Sequence, residues 1–481
     1  MKTIEEKIFE HGENNPLYCA IKNGTKCVTY GELARCIHAS ASFFRKQSWY
    51  GKGRSVVLAA EKQLEFAYAY FGAHLAGLVV LPVASDINQS RLEYILDFLK
   101  PCAIIGLNHN DVQLPFIALD TFAMLEETGD IHDFPSQDDL ADILFTTGTT
   151  GAPKAVPLTF ANELAAAEQI NGYIGNEQED VELLALPVSH SFGLGRLRCC
   201  LFNGQTIILM GSFANTKRLY RTIDEEKVTG FTMVPASWKY LQKMSGEKLA
   251  QYASQLKYIE FGSSYFSADD KKHMAELFPN TRVTMHYGLT EASRSCFMEF
   301  HQDADALGSV GKATPGVEVK IFDESGNEMP PLGEGEICIK GRHVTKGYLK
   351  HDNQDTFFDD FFRTGDFGYK DDNGYVYLKS RLKELINVGG KKVSPMEIDQ
   401  QIQAIPGIVE CACVGVPDPE GILGEVVKAC IVKSPGIDVN FKQIAECLHG
   451  HIEEYKIPVV WQWVDEIPKT SNGKILRSQL R

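Results

Sequence analysis

The chain has 481 residues, of which 44% are hydrophobic and 23% are charged, an ordinary globular composition long enough for two or more domains. Its formal net charge of −15 would repel the phosphates of nucleic acids and anionic lipids, so nucleic acid is not an expected partner. Residues 1–16 are acidic where a signal peptide has an apolar core, which predicts a protein that stays in the cytoplasm.

Short β-branched runs alternate with longer amphipathic segments over most of the chain, a pattern typical of α/β layers with largely parallel sheets. Thr29 and Glu32 have capping-box spacing, so a helix is expected to begin between them. Runs that predict buried strands occupy 55–60, 79–83, 102–107, 205–210 and 230–235.

Residues 66–85 carry no charged side chain for about the length of a membrane span. Gly72, His74, Gly77 and Pro82 interrupt the stretch, and its β-branched pair follows a glycine. The pattern therefore predicts a buried helix followed by a buried strand, and no transmembrane segment.

The second half of the chain changes character twice. Glycine-punctuated strands over 306–379 predict a small antiparallel β region. Beyond Arg381, helices near 395–405 and 440–455 alternate with strands near 411–416 and 428–433. The fold class is therefore α/β, with a large N-terminal domain of layered subdomains and a small β-rich region over 1–380, followed by a small α+β domain over 381–481.

Twelve cysteines are spread along the chain without a CxxC pair. This spacing favours reduced, mostly buried thiols over a disulfide framework. It supports neither a zinc site nor a catalytic cysteine.

Residues 146–156 read TTGTTGAPKAV, directly after an apolar run that predicts a buried strand. Glycines permit a loop whose N–H groups and hydroxyls converge on a phosphate, and a lysine supplies the compensating charge. Only two residues separate the glycines, so this is not a Walker loop, and taken alone it also suits a simple hairpin turn. The candidate phosphate-binding residues are Thr146, Thr147, Gly148, Thr149, Thr150, Gly151 and Lys154.

The loop resembles the signature [ST]GTTGxPKG of the adenylate-forming superfamily, which includes acyl-CoA synthetases, peptide-synthetase adenylation domains and firefly luciferase. Ala155 departs from the usual glycine. Further motifs of that superfamily recur in order along nearly the whole chain: TYGEL at 29–33, HLAGLVVLP at 74–82, LPVSHSFG at 186–193, YGLTE at 287–291, GEICIKG at 335–341, RTGD at 363–366, SRLKELINVGGKKVSPMEI at 380–398 and PKTSNGKILR at 468–477.

The resemblance implies that a carboxylate attacks the α-phosphate of ATP to give an acyl-adenylate, and that a thiol then takes the acyl group. Tyr287 would stack on adenine, Thr290 would contact the α-phosphate, and Glu291 would hold Mg²⁺, a cation that prefers oxygen ligands. Asp366 and Arg381 would bind the ribose. Four more residues are expected at the nucleotide beside the acyl pocket: Gly262, Ser263, Ser264 and Gly288.

Other roles implied by the resemblance lie at the carboxylate and in the tail. His190 corresponds to the histidine beside the carboxylate in acyl- and aryl-activating members. Lys474 corresponds to the lysine that bridges the carboxylate and the α-phosphate. Lys383 matches the hinge about which a mobile C-terminal domain rotates, and Gly389 and Gly390 match the loop beside the thiol donor's pantetheine arm.

The substrate is expected to be a small carboxylic acid with an uncharged fatty or aryl tail, because the aspartate that amino-acid-activating relatives use is absent from LPVSHSFG. The acyl lining is expected around Phe192 and residues 233–237, 262–264 and 288–293, with Phe231, Trp238 and Met285 as its apolar side chains. His286 stands where many relatives have glycine and is expected to narrow this pocket or make it more polar. Arg294 is a candidate partner for a second carboxylate or for a polar substituent, and a role at the surface or beside the adenylate stays open equally.

Three functions stay open at this point. The leading one is an AMP-forming ligase that uses coenzyme A. The second loads the phosphopantetheine of a separate acyl carrier protein. The third is a nonenzymatic nucleotide-binding regulator, against which the joint presence of Glu291, Asp366, Arg381 and Lys474 argues.

Overall fold

Five β-sheets and the helices that cover them make up the described part of the chain in this computed structural model, which describes residues 2–107, 113–126, 133–146, 153–437, 439–470 and 475–481. The first elements, in chain order, are α1 (Ile4–Asn14), β1 (Cys19–Asn23), β2 (Lys26–Thr29), α2 (Tyr30–Arg45), β3 (Ser55–Ala59), α3 (Leu64–Leu75), β4 (Val79–Val83), α4 (Gln89–Leu99), β5 (Ala103–Ile105), β6 (Phe116–Ile117), β7 (Leu140–Phe145) and β8 (Ala155–Thr159).

The middle of the chain continues the alternation. Its elements are α5 (Phe160–Ile174), β9 (Val181–Leu184), α6 (Ser191–Asn203), β10 (Thr206–Leu209), α7 (Thr216–Glu226), β11 (Gly230–Met233), α8 (Pro235–Ser245), β12 (Tyr258–Phe261), α9 (Ala268–Leu277), β13 (Arg282–Tyr287), β14 (Cys296–Glu299) and β15 (Lys312–Ala313).

Two of the sheets contain mostly parallel strands. The six-stranded sheet has the order β6-β5-β3-β4-β7-β8, and only its β7–β8 pair is antiparallel. The nine-stranded sheet has the order β15-β14-β13-β12-β11-β9-β10-β1-β2, with β9 to β13 parallel to their neighbours until β14 reverses direction. The predicted α/β layers are confirmed.

The local signals in the first hundred residues are also confirmed. Thr29 caps α2, and its side chain and that of Glu32 form the expected capping box. The uncharged stretch is divided between the buried helix α3 and the fully buried strand β4. Among the described residues, no helix has the length and apolar character needed to cross a membrane.

The β-rich region and the tail follow. Their elements are β16 (Val317–Phe322), β17 (Gly335–Gly341), β18 (Phe357–Phe358), β19 (Phe361–Lys370), β20 (Val376–Arg381), β21 (Ile386–Val388), β22 (Lys391–Val393), α10 (Pro395–Gln403), β23 (Ile408–Pro417), β24 (Glu425–Lys433), α11 (Phe441–Leu448) and β25 (Val460–Trp463). Strands β16 to β20 form one antiparallel sheet, β21 and β22 form a hairpin, and β23 to β25 form a separate sheet against which α10 packs.

Two expectations drawn from the sequence were wrong. The last helix ends at Leu448 instead of continuing to Tyr455, because Gly450 follows with a φ of +85°, outside the helical range. Cys19 and Cys27, on the adjacent strands β1 and β2, form a disulfide, whereas the other ten cysteines are free.

Candidate active site

A cavity of about 630 Å³ lies between the carboxyl ends of the parallel strands and the segment that follows Arg381. In doubly wound sheets, ligands bind at such strand ends. Predicted site residues in its wall are Thr146, Lys154, His190, Ser263, Gly288, Thr290, Glu291, Arg381 and Lys383. The wall also contains Phe192, Val234, His286, Ser293, Arg294, Tyr348, Thr364, Gly365 and Thr470.

The register of the nine-stranded sheet brings distant segments together at this edge. Four neighbouring parallel strands, β9, β11, β12 and β13, end at Leu184, Met233, Phe261 and Tyr287. The next residues of each chain segment then enter the cavity wall, which explains why motifs that are far apart in sequence meet in one place.

Thr146 and Lys154 flank the predicted phosphate loop at the open end of the β7–β8 hairpin. The backbone N–H of Thr146 donates to the carbonyl of Lys154 (3.0 Å), so the two flanks are paired. The Lys154 ammonium lies 4.1 Å from the centre of the Tyr348 ring, an arrangement that holds the cation at the cavity wall. Thr147, Gly148, Thr149, Thr150 and Gly151 lie outside the described residues.

Glu291 presents a carboxylate to the cavity while only 8% of its surface is exposed. The Tyr348 hydroxyl donates to Glu291 Oε1 (2.7 Å), and burial together with that carboxylate raises the pKa of Tyr348, so the phenol keeps its proton. Glu291 Oε2 accepts no hydrogen bond from any residue within the described ranges. The second oxygen is therefore available to a hard cation, and the donor set fits Mg²⁺.

Asp366, Arg381 and Tyr287 form one buried cluster. Arg381 Nε lies 2.8 Å from Asp366 Oδ1, and the Tyr287 hydroxyl donates to Asp366 Oδ2 (2.6 Å). Burial and the nearby carboxylate raise the pKa of Tyr287 well above its usual value, so the hydroxyl remains a donor. Arg381 also donates to the Thr364 carbonyl (3.1 Å), and both residues line the cavity.

Burial determines the protonation of His190, whereas close packing restricts Gly288 and an unusual backbone conformation marks Ser263. His190 is the N-cap residue of α6, and burial, with a smaller effect of Arg91, lowers its pKa, so the imidazole is neutral at pH 7. A Cβ atom on Gly288 would lie 2.3 Å from the backbone nitrogen of Arg294, which only glycine avoids. Ser263 adopts a φ of +70° and faces the cavity.

Glu260 holds two residues of the cavity wall, His286 and Arg294, although sequence reasoning missed it. It is fully buried in β12, accepts from His286 Nδ1 (2.7 Å) and accepts from Arg294 Nε (3.0 Å). Burial opposes its ionisation, but Arg294 and His286 outweigh that effect and lower the pKa of Glu260 to about 2. No motif marks this glutamate, which stands in the apolar strand YIEF.

Arg294 does not have the free guanidinium that a second substrate carboxylate would need. It is 1% exposed, and besides Glu260 its donors reach the carbonyls of Phe192 (3.0 Å) and Ser191 (3.5 Å). Its guanidinium carbon also lies 4.8 Å from the centre of the Phe192 ring. Arg294 therefore has a structural role, because its guanidinium is already bonded to residues of the cavity wall.

Some of the residues predicted in the tail line the cavity, and others do not. Lys383 and Thr470 line the cavity, which brings the segment after Arg381 to the site. Gly389 and Gly390 form the turn between β21 and β22 with φ values of +57° and +84° and lie outside the cavity lining. Lys474 lies outside the described residues.

The predicted nucleotide residues Gly262, Ser264, Tyr287 and Asp366 are also outside the lining. The side chains expected to line the acyl pocket, Phe231, Trp238 and Met285, are instead buried in the core beside the nine-stranded sheet.

Two family matches cover most of the chain. Residues 8–349 match the family described as AMP-binding enzyme, and residues 397–474 match the AMP-binding enzyme C-terminal domain.

Named relatives match along most of their own length. The long-chain-fatty-acid–CoA ligase FadD13 of Mycobacterium tuberculosis is 31% identical over 89% of this chain and 88% of its own. The fatty acid–[acyl-carrier-protein] ligase ScoC of Streptomyces coeruleorubidus is 27% identical over 100% of this chain and 96% of its own.

Solved structures superpose over the whole chain. ATP-bound MatB from Rhodopseudomonas palustris has a TM-score of 0.91 at 26% identity, covering 100% of this chain and 98% of its own. The o-succinylbenzoate coenzyme A synthetase MenE from Bacillus subtilis, in complex with ATP and magnesium ion, has a TM-score of 0.87 at 24% identity, with 98% of each chain covered, which supports the fold.

Proposed function

We propose that this chain, which belongs to the AMP-binding enzyme family, is an AMP-forming carboxylic acid–thiol ligase that uses ATP and coenzyme A. The observation that carries the proposal is the composition of one cavity. Lys154, Glu291 and Arg381 supply charges suited to a nucleotide, and a second, more apolar part of the same wall adjoins them.

The first half-reaction joins two anions. A carboxylate oxygen of the acid attacks the α-phosphorus of ATP, the bond to the bridging oxygen breaks, and pyrophosphate leaves. Charge neutralisation and alignment therefore make up most of the catalytic problem. Mg²⁺, when bound, supplies positive charge at the phosphates, and Glu291 would hold it through the oxygen that Tyr348 leaves open.

Cationic and hydrogen-bond-donating side chains of this chain would bind the phosphates of ATP and neutralise their charge. Lys154 would neutralise phosphate charge beside the threonine-rich loop, whose residues Thr146 to Gly151 would donate to the phosphates. Thr290 would contact the α-phosphate. Lys474 would bridge the α-phosphate and the incoming carboxylate as charge develops between them.

The nucleoside would be held beside these groups. The ribose would lie against the Asp366–Arg381 pair, an assignment supported by Arg381, which lines the cavity and whose Nε lies 2.8 Å from Asp366 Oδ1. Tyr287 would stack on adenine, with Gly262, Ser263, Ser264 and Gly288 near the nucleotide. Neutral His190 would lie beside the carboxylate without adding a charge there.

The second half-reaction needs a different arrangement. The thiol of the acceptor attacks the carbonyl carbon of the acyl-adenylate, the thiol proton is lost, and AMP leaves. We propose that a domain over 381–481 rotates about Lys383 relative to 1–380 between the two steps, and that Gly389 and Gly390 then adjoin the pantetheine arm. Their positive φ values and exposed turn support close approach of a ligand.

Coenzyme A is the acceptor we favour, and the phosphopantetheine of an acyl carrier protein is the second candidate. ScoC, whose name specifies an acyl carrier protein, keeps that candidate open because it matches the whole of this chain. We also propose that the protein works in the cytoplasm, and its ten free cysteines fit a reducing compartment. A regulator without enzymatic activity is disfavoured, because the named relatives that match this chain along most of its length are ligases.

The proposed function is tested with the purified protein and a panel of carboxylic acids. Acid-dependent exchange of pyrophosphate into ATP is the expected result, and the complete reaction with a thiol acceptor should release AMP and not ADP. Thioester formation is then compared between coenzyme A and purified carrier proteins. Nucleotide binding without exchange on any acid would indicate a regulator and contradict the proposal.

A further inference from the structure

One wall of the acyl part of the cavity is polar and closed. His286 lies there at the end of β13 with 8% of its surface exposed, and its ring packs edge-on against Phe192 with centroids 4.6 Å apart. A Cβ atom on Gly262 would lie 2.0 Å from His286 Cε1, so the imidazole occupies the space beside this glycine. An acyl chain cannot extend through this volume.

The bond to Glu260 fixes which nitrogen of His286 carries the proton. An ionised carboxylate can only accept, so Nδ1 must be the donor in the 2.7 Å contact. Burial is the main effect that lowers the pKa of His286, so the ring is neutral and Nε2 has a bare lone pair. No residue in the described ranges hydrogen bonds to Nε2.

A lone pair at a cavity wall favours one kind of ligand group. An alkyl tail would cover Nε2 without offering a donor, which leaves a buried polar atom unsatisfied. A second carboxylate would face that lone pair and the anionic Glu260, while Arg294, 3.0 Å from the same carboxylate, is already engaged. An ammonium group would lose its hydration there without gaining a free charged partner, because Glu260 and Arg294 already form an ion pair (3.0 Å). A hydroxyl group donates to Nε2 without adding charge.

We propose that this site selects a compact carboxylic acid carrying a hydroxyl group, which donates its hydrogen bond to His286 Nε2. Glu260 and Arg294 are then positioning residues that hold the ring and its tautomer. The inference rests on the proposed function and narrows its substrate class.

The wild-type protein tests the inference with matched acids. ω-Hydroxyalkanoates are compared with alkanoates of equal heavy-atom number, and hydroxybenzoates with fluorobenzoates, by kcat/KM for acid-dependent pyrophosphate exchange. The best hydroxy acid is expected to exceed its matched partner by about tenfold or more. Equal values, or a preference for the partner lacking the hydroxyl, would overturn the inference.

Variants separate the polar role of His286 from its bulk. His286→Phe keeps a ring but removes the acceptor, so the hydroxyl preference should disappear while long acids remain excluded. His286→Ala should lose the preference and admit longer acids. His301→Ala is the matched control, since His301 also contacts a glutamate, Glu299 (2.7 Å), but lies outside the cavity. A hydroxyl preference that survives in well-folded His286→Phe would contradict the assignment.

Failure of the inference can be distinguished from failure of the proposed function. If acids drive exchange without regard to a hydroxyl group, only the inference is wrong. If no acid of either set drives exchange although calorimetry detects ATP binding, the proposed ligase function is wrong and the inference falls with it.

Discussion

The predicted Mg²⁺ site depends on a single residue, Glu291. Tyr348 occupies one of its oxygens and the other remains open to the cavity, so the side chain is oriented before any cation arrives. Such preorganisation means that removing the charge, and not only the side chain, should impair the reaction.

Glu291→Gln keeps the shape of the side chain and an oxygen that can accept from Tyr348, but removes the negative charge. We expect acid-dependent pyrophosphate exchange to fall by about a hundredfold or more and the Mg²⁺ concentration needed for half-maximal rate to rise. Glu318→Gln, an exposed change in β16, is the control. An unchanged Mg²⁺ dependence would show that Glu291 does not hold the metal.

Sequence reasoning located Glu291 and His190 because recognisable motifs contain them, whereas Glu260 and Tyr348 have no such signal. Glu260 acquires its partners through strand register: it lies opposite Thr284 on β13, and His286 follows two residues later on the same face. Neither the spacing nor the residue type reveals that contact, which exists only once β12 and β13 are paired.

Strand β7, which precedes the predicted phosphate loop, contributes Asp142 to a buried charged cluster. Asp142 of β7 hydrogen bonds to His74 Nε2 (3.2 Å) and to Arg198 Nη2 (2.9 Å), and Glu5 contacts His74 Nδ1 (2.8 Å). Burial disfavours charge on His74, but its hydrogen bonds to Asp142 and Glu5 outweigh that effect and raise its pKa to about 10.

This shift predicts how stability depends on pH. Folded His74 keeps its proton up to about pH 10 while an unfolded histidine loses it near 6.5, so its contribution is complete below about pH 6.5 and is lost as pH rises through about 10. Between about pH 6.5 and 10, the contribution of His74 to the free energy of unfolding falls by up to about 1.4 kcal/mol per pH unit.

His74→Gln should cost about 3–5 kcal/mol near neutral pH, because it leaves the buried Glu5 carboxylate without its cation and removes one of the two cations beside Asp142. Urea unfolding of the two proteins at pH 6.5, 8 and 9.5 should show this difference shrinking as the pH rises. His451→Gln, an exposed change, is the control. A difference that stays constant over this range would mean that His74 is not charged in the folded protein.

Prediction of elements succeeded where local chemistry decides the outcome. Thr29 and Glu32 form the capping box that their spacing indicated, and residues 66–85 divide into α3 and β4 at the glycine-containing turn. It failed where the end of an element depends on one backbone conformation, as at Gly450 after α11, and where two strands bring Cys19 and Cys27 together.

At the scale of the whole molecule, the segment after Arg381 lines the same cavity as the parallel strands. Lys383 and Thr470 belong to that wall, and the Lys392–Glu324 ion pair and the bond from Ser394 Oγ to the Lys379 carbonyl add contacts across the junction. The motif order predicted a large and a small part, but their placement around one cavity depends on tertiary packing that no motif encodes.

Lys383→Pro should slow thioester formation by about tenfold or more while leaving pyrophosphate exchange nearly unchanged, because proline fixes φ and restricts the preceding residue. Lys383→Ala, which changes the side chain but leaves the backbone free, is the control. Both half-reactions are followed by rapid quench. An unchanged rate of thioester formation in Lys383→Pro would contradict a hinge at this position.

Separation of the two half-reactions in Lys474→Ala tests the central claim most directly. Pyrophosphate exchange should fall by about a hundred- to a thousandfold, while transfer from supplied acyl-adenylate to coenzyme A should remain near the wild-type rate. Lys469→Ala, in the same tail segment but paired with Glu410, is the control. An equal loss of both half-reactions, or no loss of exchange, would contradict the account.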